Sequence, residues 1–532
     1  MLEWRIRVRE PDGPTAIAGR TAMPEEGGAV RVVCDLPRGT LQSVTATMAL
    51  TVAEDEKIFM NGYQTWTHCP EYGRHDKIRG LHGVPKFLVD KFSFDRYGDY
   101  HFVDYPNRPG VTHGFSWCYF RRGERFRLIA SLDEKPGYTM FRYDANRGEL
   151  TIERDCAGMV CGGAFHAFDL YFAEGGEDEV FDGWFAAMEL PAPKAAPLRG
   201  YSSWYNRYED ITEGAIRADL EGCKRLLSPV DLFQIDDGWE SAVGDWLETD
   251  KKKFPHGLQP LAEEIHASGF LAGLWLAPFV CREGSRVQRE HPDWLLQVEG
   301  KPWRCGSNWG GFYSLDIDHP AVQDYLRQVF DRVLHQWGFD LVKLDFLYGA
   351  APFGTEHESR AGRMIRAMDF LREICGEKLI LGCGVPVMPA FGRVDYCRVS
   401  CDVSLDWNDK WFMRCFHRER VSTKQAIENT LFRRQLNGRA YLSDPDVFFL
   451  REDNLRLTEE QKLLLAQVNA LMGGVFLTSD DPSSYSDARR ETYQSLCHLR
   501  EAKQVCFDAD GWCIRYVLDG VEQSLSIPKA WF

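Results

Sequence analysis

The side chains with chemistry to offer are carboxylates at the ends of apolar runs, and the central run is Asp340-Leu-Val-Lys-Leu-Asp-Phe-Leu-Tyr348. Leu341, Val342, Leu344, Phe346 and Leu347 surround two ionisable residues, Lys343 and Asp345. An apolar run of this length between two helical patterns reads as a buried parallel strand. Charge inside such a strand is costly unless it is paired or functional. Where strands alternate with helices, a carboxylate at a strand's C-terminal end points into the active-site face of a barrel. Asp345 is therefore read as a catalytic nucleophile. A Lys343–Asp345 ion pair that only holds strand ends together is the alternative. The partner is Asp402, which ends Arg398-Val-Ser-Cys-Asp402 beside a basic residue, Arg398. Two carboxylates on different strands, flanked by aromatics, suit glycoside hydrolysis, with one as nucleophile or base and the other as acid. A carboxylate metal cluster fits less well, because the strand ends carry no histidine.

These residues must be positioned by the elements around them. From about residue 199, candidate strands are Gly200–Tyr205, Val230–Trp239, Phe270–Pro278, Leu341–Tyr348, Lys378–Cys383, Tyr396–Asp402, Ala440–Asp446 and Gly474–Asp480. Helical periodicity marks Glu213–Leu227, Ala321–Trp337, Arg360–Cys375 and Thr458–Leu471. Eight strands interleaved with helices predict a (β/α)8 TIM barrel over residues 196–483. A doubly wound sheet competes, but no GxGxxG or P-loop follows any strand. Polar groups gather at the predicted strand ends: Asp236 and Asp237 in Gln234-Ile-Asp-Asp-Gly-Trp239, then Lys343, Asp345, Arg398, Asp402, Asp444, Asp480 and Asp481. For the last three, capping of the following helix is the competing role. Like charges converging on one mouth push pKa values apart, which lets one carboxyl stay protonated while another ionises.

Before the barrel, residues 1–195 show short period-two segments broken by Gly, Pro and Asp, the pattern of an all-β sandwich. Pro191-Ala-Pro-Lys-Ala-Ala-Pro197 reads as a stiff linker. Residues 484–532 read as a helix followed by a short β-like tail.

A net charge of −16 excludes nucleic acid and anionic membrane as the expected partners. No segment approaches the length of a bilayer span, and residues 1–30 have no signal-peptide pattern. The 16 Cys show no zinc spacing, so a cytoplasmic protein with reduced thiols and no metal or cofactor is expected. Aromatics at 13% lean towards sugar stacking, though a large core explains them equally well.

Taken in order, Asn61-Gly-Tyr-Gln-Thr-Trp66, Gln234-Ile-Asp-Asp-Gly-Trp239, Gly244-Asp-Trp246, Gly273-Leu-Trp275, His291-Pro-Asp-Trp294, Lys343-Leu-Asp345 and Ser443-Asp-Pro-Asp446 resemble glycoside hydrolase family 36, the retaining α-galactosidases and their relatives. The resemblance implies an N-terminal β-supersandwich, a catalytic (β/α)8 barrel and an unusually short C-terminal β region. It implies Asp345 as nucleophile and Asp402 as acid/base, with Asp406 a lower-ranked rival. It also implies that Asp236 and Asp237 hold the sugar's 4- and 6-hydroxyls and that Lys343 contacts the 3- and 4-hydroxyls. Trp275, Arg398 and Trp66 would line the pocket, and Arg304, Cys383 or Cys401 would meet the 2-hydroxyl. The family's K-W-D-M is Lys343-Leu-Asp-Phe346 here, its G-L-W-x-E-P-E is Gly273-Leu-Trp-Leu-Ala-Pro-Phe279, and its S-D-N is Cys401-Asp-Val403 within Ser400–Val403. The catalytic carboxylates survive these changes while the pocket wall differs.

The expected reaction is double displacement on an α-galactoside of an oligosaccharide or glycoconjugate, with the two carboxyls roughly 5–6 Å apart. α-N-Acetylgalactosaminidase, raffinose-synthase-like transfer and non-catalytic sugar binding are the alternatives, and the resemblance leaves a homo-oligomer open.

Overall fold

The computed structural model describes residues 1–25, 27–226, 229–409 and 417–532. The N-terminal part forms one continuous antiparallel sheet of 11 strands. Its backbone is the 22-residue strand Gly28–Ala49, which pairs with Leu2–Glu10, Glu149–Asp155 and Val160–Gly175. Alternating residues such as Val30, Val32, Val44 and Ala46 are buried against Phe141, Ile152, Phe168 and Leu170 in a hydrophobic core of their own. The architecture is sandwich-like, as period-two patterning requires. One helix, Lys86–Phe92, interrupts it and another, Glu177–Ala187, follows its last strand; the alternation signals neither. The second buries Val180, Phe181, Trp184 and Phe185. Residues 191–197 are without regular structure, as expected for the proline-rich linker.

The second sheet is parallel throughout. Its strands are β1 (Leu198–Ser202), β2 (Leu232–Ile235), β3 (Leu271–Leu276), β4 (Leu341–Leu344), β5 (Leu379–Gly382), β6 (Tyr396–Arg398), β7 (Leu442–Asp444) and β8 (Val475–Thr478). They run in the spatial order β7-β6-β5-β4-β3-β2-β1-β8, and Val447–Phe448 then pairs with the far side of β8. Only Pro445 and Asp446 separate that segment from β7, so both ends of the sheet belong to one interrupted strand. Proline lacks the N–H a ladder needs, and Asp446 sits at φ +76°, which together explain the interruption.

The helices on the outside follow their predicted periods. Pro320–Asp331 starts with proline at its first position and buries Val322, Tyr325, Leu326, Val329 and Phe330, an i, i+3, i+4, i+7, i+8 stripe. Ser359 caps Arg360–Cys375, and Thr458 with Gln461 forms a capping box on Glu459–Met472. Glu213–Cys223 stops before the predicted end, and Leu227 lies outside the described residues. Gln259–Ala267 and Thr423–Phe432 are further helices, less periodic in sequence because the latter is buried on every side. The C-terminal part is the helix Asp487–Leu499 and three antiparallel strands spanning 503–526.

Candidate active site

The predicted strands overshoot the observed ones at their C-terminal ends, and the overshoot is where the site lies. β2 stops at Ile235, β4 at Leu344 and β6 at Arg398. Asp236 and Asp345 are therefore the first residues past their ladders, and Asp402 lies in the loop after β6. Freed from strand geometry, these side chains converge on a cavity of about 550 Å³, within the usual range for ligand sites. Asp236, Asp237, Lys343, Asp345, Asp402, Trp66 and Trp275 all line it.

Asp345 is buried. Its Oδ1 accepts the Phe346 N–H at 2.8 Å and its Oδ2 the Trp275 indole N–H at 3.1 Å. Burial pushes its carboxyl above the usual carboxylate range, and the Asp402 charge adds to this, while Lys343, Cys383 and Trp275 oppose it. Lys343 does not make the structural pair weighed above. Its Nζ donates to Asp236, in the loop after β2, at 2.8 Å, reaching past the intervening strand β3.

Asp402 is the more open carboxyl, with a side chain 37% exposed, and receives Arg398 Nη1 at 2.8 Å. Arg398 is buried and also meets Asp444 at 3.0 Å and Asp446 at 2.9 Å. Asp446 in turn accepts from the Tyr205 hydroxyl and from the Val403 N–H at 2.8 Å. Burial pushes Asp446 up to about 6, with Arg398 opposing. Arg398 thus stands behind the cavity wall, held from three sides.

Asp236 accepts from Gln234 Nε2 at 2.7 Å as well as from Lys343. Asp237 accepts the indole N–H of Trp309 at 2.9 Å. Burial and the neighbouring Glu240 carboxyl push Asp237 well above the ordinary range.

The β-domain reaches this barrel mouth through Asn61–Trp66. The buried Arg433 guanidinium donates to Asn61 Oδ1 (3.1 Å) and to the carbonyls of Thr65 (2.6 Å) and Val399 (2.9 Å), tying that turn to the loop after β6. Trp66 then packs edge-on against Phe346 and donates to Cys383 Sγ at 3.3 Å. Cys383 is buried beneath Trp66.

Arg398 and Cys383, expected at the pocket wall, are not among the lining residues, and three further expectations are corrected. Arg304 does not line the cavity; its guanidinium donates to the carbonyls of Gly306 (3.3 Å) and Gly310 (3.0 Å) and shapes the loop that carries Trp309. Cys401 donates to the Ser422 carbonyl at 3.6 Å, away from the cavity. The Asp406 carboxylate faces Arg456 at 3.6 Å and is not among the lining residues. Of the residues weighed as helix caps, Asp481 does cap the turn Pro482–Ser484. Asp480 instead receives the Leu450 and Arg451 N–H groups, and Asp444 holds Arg398.

Motif reasoning missed Trp309 and Tyr97. Trp309 sits at φ +54° in Gly306-Ser-Asn-Trp-Gly-Gly311, and the Tyr97 hydroxyl from the β-domain holds Asn308 at 2.6 Å. The glycine-rich run marks a loop but not its direction. No cluster of metal-ligating side chains occurs among the described residues, and no helix among them is long and apolar enough to cross a membrane.

A family model described as Melibiase matches residues 201–367. The chain is 33% identical over 199 residues to an alpha-galactosidase of Escherichia coli, covering 35% of this chain and 27% of that protein. It is 32% identical over 152 residues to alpha-galactosidase Mel36A of Lactobacillus acidophilus, covering 27% and 20%. The matched segments thus span between a fifth and a third of those relatives' length. Among solved structures, TtGalA, an alpha-galactosidase from Thermus thermophilus, superposes with a TM-score of 0.76 at 27% identity, over 97% of this chain and 98% of that one. The GH36 alpha-galactosidase AgaA from Geobacillus stearothermophilus shares the fold with a TM-score of 0.60 at 13% identity, over 97% and 79%. In sequence over the first half of its barrel, and in fold over nearly its whole length, the chain is similar to α-galactosidases.

Proposed function

We propose that the protein is a retaining α-galactosidase of glycoside hydrolase family 36, acting on terminal α-D-galactosyl residues through a covalent glycosyl-aspartate. The observation that carries this reading is the meeting of Asp345 and Asp402 in one aromatic-walled cavity with an Asp236–Lys343 pair beside them. A similar structure contains p-nitrophenyl α-D-galactopyranoside and another contains stachyose, which supports an α-galactoside as substrate. The parallel sheet is read as a closed (β/α)8 barrel over 196–483, following a β-supersandwich (1–195) and preceding a short C-terminal region (484–532), in a cytoplasmic protein.

In this mechanism Asp345 attacks the anomeric carbon, oriented by the Trp275 and Phe346 N–H groups. Asp402, the more exposed carboxyl, gives its proton to the leaving oxygen and then takes one from the water that releases the sugar. Lys343 and Asp236 bind ring hydroxyls, with Asp237 completing the set, and charge-assisted hydrogen bonds that tighten as the oxocarbenium forms lower the barrier. The faces of Trp66, Trp275 and Trp309 supply the apolar wall. Neither metal nor cofactor is needed.

Initial rates on aryl α-galactoside, α-N-acetylgalactosaminide, α-glucoside and β-arabinoside test the reading. The α-galactoside should be preferred, the α-anomer of galactose should form first, and Asp345→Ala should lower kcat by roughly 10⁴-fold or more. Preference for another glycoside, or first release of the β-anomer, overturns it.

A further inference from the structure

Trp309 is the indole that reaches Asp237: its N–H donates to Oδ2 at 2.9 Å, and both side chains line the cavity. Its ring packs on Phe346 and Phe312, with centroids 4.9 and 5.4 Å away. Its backbone stands at φ +54°, a left-handed conformation that a residue with a Cβ holds only where the surroundings impose it. After it come two glycines at positive φ, Gly310 and Gly311, with Arg304 on the Gly310 carbonyl at 3.0 Å. Before it the grip comes from the β-domain. The Tyr97 hydroxyl donates to Asn308 Oδ1 at 2.6 Å and accepts the Ser307 N–H at 2.8 Å, and Ser307 Oγ lies 3.2 Å from it. Gly306 permits this approach, because a Cβ there would stand 2.9 Å from the Tyr97 hydroxyl oxygen. Tyr97 is itself buried and anchored. Its carbonyl accepts Gln64 Nε2 at 2.6 Å, and its ring stacks on His417 with centroids 5.7 Å apart.

We propose that Tyr97 is a positioning residue of the site: by clamping Ser307 and Asn308, its hydroxyl holds Trp309 in the pose from which the indole meets Asp237. This rests on the reading of Asp237 as a ligand of the sugar. A carboxylate with one oxygen on a fixed donor is oriented before the sugar arrives, so binding does not have to order it. Gln64 belongs to the turn Asn61–Trp66, and the β-domain thus governs two indoles of the cavity, Trp66 through the chain and Trp309 through Tyr97. Without the clamp, Trp309 relaxes to a commoner backbone conformation in the free enzyme, and binding must restore the strained one. KM therefore rises, while kcat, set within the assembled complex, changes little.

Steady-state kinetics on an aryl α-galactoside, with D-galactose as competing inhibitor, test this in Tyr97→Phe, Trp309→Phe and the double variant. Tyr97→Phe keeps the ring against His417 and removes only the hydroxyl. Its KM, and the inhibition constant of galactose, should rise roughly five- to tenfold, with kcat within about twofold of wild type. Trp309→Phe removes the indole donor and leaves the clamp nothing to position, so adding Tyr97→Phe to it should move KM by less than about twofold. A tyrosine that only supports the fold would give effects that multiply in the double variant. Asn308→Ala breaks the same bond from the exposed loop and takes the place of Tyr97→Phe in the cycle should that variant not fold. Multiplying effects, or a wild-type KM in Tyr97→Phe, overturn the role of Tyr97 and leave α-galactoside turnover standing. Absence of turnover in the wild type would overturn the galactosidase reading, and the role of Tyr97 with it.

Discussion

Arg398 is bound by three carboxylates, of which only Asp402 opens to the cavity. A guanidinium fixed from behind by Asp444 and Asp446 is a rigid anvil for Asp402, and small misplacement of a catalytic group can lower rates a hundredfold. Asp446 also stands at φ +76°, a conformation asparagine tolerates about as well as aspartate. Asp446→Asn should therefore fold normally while weakening one of Arg398's three supports. We expect kcat/KM for an α-galactoside to fall by roughly 10–100-fold, with Tm changed by only a few degrees. Wild-type kinetics in this variant would remove Asp446 from the positioning of Asp402.

At the scale of elements, the loops after the barrel strands are shaped by contact with the β-domain turn. Gly384, just past β5, has φ +56°, and a Cβ there would lie 2.8 Å from the Trp66 ring and 3.1 Å from the Phe346 nitrogen. Both neighbours belong to the cavity: Trp66 lines it, and the Phe346 N–H holds Asp345. Gly384→Ala should destabilise the fold by about 1–3 kcal/mol through backbone strain and overpacking. It should also raise KM by displacing Trp66. Thermal melts and steady-state kinetics on the same preparation check both, and an unchanged KM would show that Trp66 does not bear on the substrate.

Across the whole molecule, the sheet and the barrel are welded by burial. Phe59, Trp66, Trp117, Phe181 and Trp184 belong to the same hydrophobic cluster as the barrel residues Leu232, Leu274 and Phe391. Arg121 bridges Glu71 in the sheet and Asp510 in the turn between two C-terminal strands, at 2.7 and 3.0 Å. Glu134, buried in the β-domain, is pushed up from 4.5 to about 7 by burial, with Arg154 opposing. Its folded pKa lies above the unfolded value, so the stability it contributes is complete below about pH 4.5 and is lost as pH rises to about 7. Glu134→Gln should remove this loss. Urea midpoints at pH 5 and pH 8 should therefore differ less in the variant than in the wild type; equal differences would show that Glu134 is not the group responsible.

The strand–helix alternation, the period-two segments of the first 190 residues and the proline-rich linker were legible because local periodicity records which face is buried. Asp345, Asp402, Asp236 and Asp237 were legible as candidates because a carboxylate at the end of an apolar strand has few other reasons to be there. Only the tertiary structure decided their partners. Lys343 lies two residues from Asp345 yet pairs with Asp236, 107 residues away in sequence, a meeting across the intervening strand β3 that no local spacing records. Arg304 was placed at the pocket and instead braces the Trp309 loop, since a surface loop's direction follows from what it packs on and leaves no period in the chain.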